Sequence, residues 1–231
     1  MPIQTVFLDA GGILVHPNWS RVSDTLARHD VTISAEALAV AEPRAKQRLD
    51  RGETIQATND AQRGWTYFDL VLGEAGVPLT ASTAAALLEL NAYHQQFNLW
   101  ETVPDDVLPA LAALRARGLR LVVVSNANGT LQTAFARLGL AGALDVIFDS
   151  HVVGIEKPDP RFFQLALQRS GARAETTVHV GDLYHVDVVG ARSAGIAAIL
   201  LDAGNLYTDC DCPRVRTIGE VVDLIASDGW K

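Results

Sequence analysis

The sequence predicts an α/β fold, a doubly wound parallel sheet interrupted once by a helical insertion. Three observations carry this expectation. Short apolar runs rich in β-branched residues recur at Thr5–Leu8, Leu119–Val124, Val146–Phe148, Thr177–Val180 and Ile196–Leu201. Each is continuous rather than alternating, the pattern of strands covered on both faces. Helical patterns at Asp106–Arg117, Thr130–Leu138, Pro160–Ser170 and Asp187–Ala194 alternate with the later runs, which argues for parallel strands joined by helical crossovers.

The gap between the first run and the second is the exception. From about residue 17 to about residue 102 the chain is mixed polar and apolar, rich in Ala, Leu and Arg. Ser20–His29, Ala35–Gly52, Asn59–Gly73 and Ala81–Gln96 read as four amphipathic helices. Gly52, Gly76 and Pro78 punctuate them, and Ser34 is placed to cap the second. A crossover this long is an inserted helical domain seated over the sheet. It assigns residues 17–102 to the insertion, and residues 1–16 with 103–231 to the α/β core. The connections near Val15–Pro17 and Thr102–Pro104 are its expected hinges. Trp65, Tyr67, Phe68, Tyr93, Phe97 and Trp100 are expected to form the insertion's own core, with one or two facing a ligand.

Composition narrows the function classes. The chain has 231 residues, 48% hydrophobic and 20% charged, which suits a folded core rather than disorder. Nineteen Lys+Arg against 27 Asp+Glu give a net charge of 19 − 27 = −8, with no basic stripe, so nucleic acid is not an expected partner. No apolar run reaches the roughly 18 residues of a membrane span, and Met1–Thr5 lacks the basic start of a signal peptide. Cytoplasmic residence is the expectation, and the two cysteines, Cys210 and Cys212, make no disulfide framework. They read as a solvent loop. Only three cations are lysine: Lys46, Lys157 and Lys231.

In open α/β sheets ligands bind outside the carboxyl ends of the strands, so the residues after each strand carry the functional reading. The first run ends in Asp9-Ala10-Gly11-Gly12, a carboxylate at a strand tip followed by a sharp turn. The second ends in Ser125-Asn126, and the third leads to Lys157-Pro158-Asp159-Pro160. The fourth ends in Gly181-Asp182, with Asp187 five residues on. Three carboxylates on one rim repel one another, and a hard divalent cation such as Mg²⁺ is the simplest compensation. A phosphate group, drawn to that cation, the Lys157 ammonium and the Ser125 hydroxyl, is the complementary ligand. In a chain that otherwise prefers arginine, a lysine at a strand end is a compact point charge chosen for chemistry.

This arrangement resembles the haloacid dehalogenase-like hydrolases. Their four motifs appear in order as Phe7-Leu8-Asp9-Ala10-Gly11-Gly12, Val124-Ser125-Asn126, Lys157-Pro158-Asp159-Pro160, and Gly181-Asp182 with Asp187. The resemblance implies a Rossmann-like core whose helical insertion is a cap, and nucleophilic catalysis by Asp9 through a covalent aspartyl intermediate. In the phosphotransfer branch it implies Mg²⁺ held by Asp9, Asp182 and the Gly11 carbonyl. Ser125, Asn126, Gly12 and Lys157 would receive a small phosphorylated metabolite. Lys157 would also orient Asp9, and Asp187 would support Lys157 or a metal-bound water.

The sequence departs from that pattern at one place. Phosphatases of the family carry a second aspartate two residues after the nucleophile, as general acid and base, and here that residue is Gly11. Such help is typically worth about 10²–10⁴-fold, so acyl and aryl phosphates should fare better than alkyl phosphates. His16 and His185 are the conceivable substitutes. The departure keeps open a nearly silent ligand-binding member. It also keeps open a haloacid dehalogenase, although Gly11 and Ile13 stand where those enzymes carry Tyr and Thr, and a phosphonate hydrolase using a cap lysine. Lys46 is the only candidate for that last role, and Arg44-Ala45-Lys46-Gln47-Arg48 reads as a solvated helix face.

Overall fold

The structure, a computed structural model, describes residues 1–227; the side chains of Gln56 and Ala61 and all of residues 228–231, hence Lys231, lie outside the description. Strand β1 (Thr5–Leu8) leads into a short β2 (His16–Pro17). Five helices follow: α1 (Trp19–Arg28), α2 (Ala35–Leu49), α3 (Gly52–Ala57), α4 (Asp60–Glu74) and α5 (Ala81–Phe97). The chain returns through β3 (Trp100–Thr102), α6 (Val107–Ala116), β4 (Arg120–Ser125), α7 (Leu131–Arg137) and β5 (Val146–Asp149). It continues as α8 (Ser150–Val153), α9 (Pro160–Ser170), β6 (Thr177–Gly181), α10 (Val189–Ser193) and β7 (Ala197–Leu201), then β8 (Arg214–Val215) and α11 (Ile218–Ala226). Among the described residues no helix is long and apolar enough to cross a membrane.

Six strands form one parallel sheet in the order β5-β4-β1-β6-β7-β8. The continuous apolar runs have the expected cause. Val6 and Leu8 point to one face, packing with α6 and α11 through Leu111, Leu114 and Val221. Phe7 points to the other, packing with Phe162, Phe163 and Ala191. Both faces are covered, so both parities of each strand are apolar. Fully buried side chains such as Phe7 and Phe162 each contribute about 1.5–3 kcal/mol relative to exposure.

Helices α1, α2, α4 and α5 enclose a third apolar cluster that includes Trp19, Leu38, Phe68 and Leu87. Asn18, Ser34, Asn59 and Thr80 cap these four helices at their N-termini. The fifth helix is a correction to the expected four. Helix α2 stops at Leu49 because Asp50 turns away to accept the backbone N–H groups of Tyr184 (2.5 Å) and His185 (2.9 Å). Gly52 therefore opens α3 instead of closing α2. Trp65 and Phe97 are exposed rather than in the insertion's core.

The two expected hinges are paired with each other. His16 aligns with Thr102 and Pro17 with Trp100 in a two-stranded antiparallel ladder. Glu101 reinforces it, accepting from Asn18 Nδ2 (3.0 Å), Arg21 Nε (2.9 Å), Tyr93 Oη (2.8 Å) and Arg137 Nη2 (3.0 Å). Asp187–Ala194 is not one helix either. A π-helical turn, Tyr184–Val188, contains Asp187 and runs into α10. The Asp50 carboxylate takes the N–H groups that open this turn, and Asp187 Oδ2 accepts from Leu183 N at 3.1 Å.

Candidate active site

The loops after β1, β4, β5 and β6 meet at one rim of the sheet. Asp9 follows β1, and its Oδ1 accepts from its neighbour Ala10 N (2.8 Å) and faces Lys157 Nζ at 2.9 Å. Oδ2 is left uncommitted among the described residues. Gly12 lies in the left-handed region at φ +76°, and a Cβ there would stand 2.0 Å from Asp182 Oδ2 and 2.7 Å from Lys46 Nζ. Only glycine fits that turn. It brings the backbone against the carboxylate of the neighbouring strand end.

Lys157 is fully buried, with Asp9 on one side and Asp187 Oδ1 at 2.7 Å on the other. Burial alone would lower its pKa. Asp187 and Asp9 outweigh that and raise it above the usual lysine value. Asp187 is likewise fully buried, which would raise its pKa, but Lys157 and His179 hold the carboxyl well below the usual range. Its Oδ1 meets Lys157 and His179 Nε2 (2.9 Å), while Oδ2 takes the Leu183 N–H. Both Asp187 oxygens are therefore engaged by protein. His179, which the sequence left unassigned, is the residue that fixes Asp187.

Ser125 ends β4 and is buried. Asn126 exchanges two hydrogen bonds with the Lys157 backbone: Lys157 N donates to Asn126 Oδ1 (2.7 Å), and Asn126 Nδ2 donates to Lys157 O (3.0 Å). Asp159 caps α9 and pairs with Arg161, a structural role for both.

Asp182 is buried, and its Oδ2 pairs with Lys46 Nζ at 2.7 Å. Burial pushes its carboxyl up, Lys46 opposes this, and Asp9 and Asp187 add to the rise, leaving it at about 6. Lys46 overturns the reading of α2 as a solvated face. It also pairs with Glu42 Oε1 at 2.7 Å, and Glu42 accepts from the Tyr67 hydroxyl (2.8 Å). The charged residues around Lys46 in sequence hid this, because helix α2 turns that one position to the rim and its neighbours elsewhere. Burial would lower the Lys46 pKa, but Asp182 and Glu42 together raise it above the ordinary lysine value. His185 Nδ1 sits 3.2 Å from Asp50, His16 Nδ1 is 3.9 Å from Glu42, and neither lines the cavity over Asp9.

The rim opens into a cavity of about 680 Å³ between sheet and insertion. Trp65, Tyr67, Phe68 and Trp100 line its insertion side. Trp100 stands over Gly11, where an added Cβ would lie 3.3 Å from the indole Nε1. Among the described residues one group of three carries the spacing of a metal site. Ligand atoms from Asp9, Asp182 and Asp187 all lie within 4.8 Å of one another. These are hard oxygen donors of the kind Mg²⁺ takes; with both Asp187 oxygens already engaged, Asp9 and Asp182 are the two left to face an ion. Cys210 and Cys212 are partly buried away from it, with Sγ atoms 3.7 Å apart.

Known proteins resemble this chain along most of its length. A family model described as a haloacid dehalogenase-like hydrolase matches residues 3–195. A glyceraldehyde 3-phosphate phosphatase of Methanopyrus kandleri is 33% identical over 175 residues, covering 70% of this chain and 73% of the relative. A protein of the same name from Methanothermobacter thermautotrophicus is 32% identical over 189 residues, covering 67% and 83%. Among solved structures, the HAD-hydrolase YfnB of Bacillus subtilis, bound to magnesium, superposes with a TM-score of 0.71. It is 18% identical, covering 97% of this chain and 99% of that one, and supports the fold alone. The parallel sheet, the carboxylates at its rim and the extent of the family match lead to one assignment: the chain belongs to the haloacid dehalogenase-like hydrolases and is a hydrolase.

Proposed function

We propose that this chain is a Mg²⁺-dependent phosphatase that transfers a phosphoryl group to Asp9 and then to water, with a small phosphorylated metabolite of the cytoplasm as substrate. The observation that carries the reading is the state of Asp9. One of its oxygens is pinned by Lys157 and a backbone N–H, the other is uncommitted, and Asp182 stands beside it. Asp9, Asp182 and the Gly11 carbonyl would hold the cation, which supplies charge neutralisation for the incoming phosphate. Asp187 is engaged on both oxygens and serves from behind, through Lys157.

The protein's own residues do the remaining work. Lys157 orients Asp9 for attack and offsets charge on the transferring group without moving a proton. Ser125 at the end of β4 would hydrogen-bond a phosphoryl oxygen together with the backbone of the Gly12 turn, and Asn126 fixes the loop that carries Lys157. An Asp9 oxygen bonds to phosphorus as the ester P–O bond breaks; water then attacks phosphorus, freeing Asp9 and inorganic phosphate. Residues 17–102 act as the cap that shields this site from bulk water. The relatives named as phosphatases support the same chemistry.

Gly11 favours one second reading, a nearly silent member that binds a phosphorylated ligand without turning it over. The phosphonate reading loses support: Lys46 does reach the rim, but Glu42 and Asp182, each at 2.7 Å, favour its ammonium form, which cannot attack a carbonyl. Mg²⁺-dependent phosphate release from acetyl phosphate tests the main proposal. Asp9→Asn should lower it by about 10³-fold or more; unchanged release would refute the nucleophile, and no release by the unaltered chain would favour the silent member.

A further inference from the structure

The cavity over Asp9 offers a substrate little charge and much aromatic surface. Each cation on its wall already has a carboxylate. Lys46 is held by Glu42 and Asp182, Lys157 by Asp9 and Asp187, and Arg63 by Glu156 at 3.3 Å while it donates to Thr58 O at 2.6 Å. Among the described lining residues no unpaired cation waits for a second anionic group on the leaving alcohol. The amides of Asn91, Gln95 and Asn128 and the imidazoles of His94 and His151 also line the cavity, and its remaining carboxylates, Asp60 and Glu156, flank Arg63. The insertion side is a continuous aromatic surface: Trp100 packs on Phe68 (ring centroids 5.7 Å, 66°) and Tyr67 (5.8 Å), and Trp65 on Phe68 (6.5 Å). Such a wall favours flat rings in offset or edge-on contact.

A second observation constrains the bond that breaks. The indole of Trp100 occupies the space next to Gly11, with Nε1 3.3 Å from where a Cβ would stand. An indole N–H donates a hydrogen bond but does not give up its proton. Indole atoms are the only side-chain neighbours within 4 Å of that Cβ position among the described residues, so a leaving oxygen there departs best as an anion that needs no protonation. Phenols meet this requirement and alkyl alcohols do not.

We propose that the substrates are aryl phosphates, phosphate monoesters of uncharged phenols, with the ring against the Trp65–Phe68–Trp100 wall and the ester oxygen near Trp100 Nε1. The proposal rests on the phosphatase reading and names its substrate class. The Asp9 oxygen bonds to phosphorus while the P–O(aryl) bond breaks; the phenolate leaves with the electron pair and takes its proton from solvent. Water then attacks phosphorus as the Asp9 O–P bond breaks and its electron pair returns to the carboxylate; the water's proton goes to solvent and inorganic phosphate leaves.

The test compares kcat/KM of the full chain with Mg²⁺ on phenyl phosphate, cyclohexyl phosphate and acetyl phosphate, and repeats it with Trp65→Leu. Trp65 is exposed, so this change spares the folded core. The expected result is a preference for phenyl over cyclohexyl phosphate of about 100-fold or more, and a phenyl-to-acetyl ratio that falls about tenfold in Trp65→Leu. Equal rates on phenyl and cyclohexyl phosphate overturn the proposal, as does a phenyl-to-acetyl ratio that Trp65→Leu leaves unmoved. Acetyl phosphate hydrolysis without phenyl phosphate hydrolysis overturns it too, and leaves the phosphatase reading standing. Hydrolysis of none of the three removes that reading, and the aryl proposal with it.

Discussion

Lys46 of helix α2 places its ammonium 2.7 Å from Asp182 Oδ2, so a cation from the insertion touches a carboxylate of the proposed metal site. Like charges at this range interact strongly even in a partly screened site, about 4 kcal/mol for unit charges 4 Å apart at an effective dielectric of 20. Lys46 therefore weakens the hold of Asp182 on any other cation. Lys46→Met should tighten Mg²⁺ binding by about tenfold or more, read by calorimetric titration without substrate. Unchanged or weaker binding would show that Lys46 and the ion do not share Asp182.

Lys157 is a buried cation and, among the described residues, the one lysine or arginine paired with Asp9 and Asp187, the latter also bonded by His179 at 2.9 Å. Removing one partner of a buried ion pair typically costs about 3–5 kcal/mol, because the remaining charge is stranded. Lys157→Met should lose that much stability in urea unfolding and lose activity as well. A stable but inactive Lys157→Met would mean that the carboxylates find compensation elsewhere.

Restoring an acid at Gly11 is obstructed by Trp100. A Cβ there meets the indole Nε1 at 3.3 Å, tighter than most such contacts, so the ring must give by a few tenths of an ångström before the rest of a side chain is fitted. Gly11→Asp alone should do little for cyclohexyl phosphate. Gly11→Asp combined with Trp100→Leu should raise its turnover by about tenfold or more over either single change. No gain in the double variant would separate the aspartate from leaving-group protonation in this fold.

Strand and motif positions were readable from sequence because each rests on a local signal. Thr5–Leu8 is legible as a strand since a doubly covered strand must be apolar throughout, and Pro160–Ser170 as a helix because Asp159 and Pro160 open it and Gly171 closes it. Asp9, Lys157, Asp182 and Asp187 were readable because strand ends of a parallel sheet converge. What stayed hidden depends on tertiary docking. Lys46 sits among charged neighbours in sequence, and only the seating of α2 on the rim gives it Asp182. Trp100 looked like a core residue, and only the pairing of β2 with β3 sets it over Gly11. Strands of two or three residues, such as β2, β3 and β8, carry no period to detect.

His94 supplies a pH dependence with a definite sign. Burial lowers its pKa below the ordinary value near 6.5. Its Nδ1 accepts from Leu99 N at 3.1 Å, and its Nε2 lies 3.1 Å from Asn128 Nδ2, so protonation would remove the ring's one acceptor. As pH falls below about 6.5 the unfolded chain takes up this proton before the folded one does, and stability is lost. Between about pH 7.5 and pH 5.5 the urea midpoint should fall more in the unaltered chain than in His94→Leu. Parallel slopes would place the titration elsewhere.

In the proposed reaction Asp9 carries the phosphoryl group. Borohydride reduction of the chain quenched during turnover of acetyl phosphate with Mg²⁺ converts an acyl phosphate to an alcohol, leaving homoserine in place of the aspartate. Mass spectrometry of the peptide containing residue 9 should find that conversion at Asp9, dependent on substrate. An unmodified Asp9 in a chain that is releasing phosphate, or conversion at another carboxylate, would contradict the account.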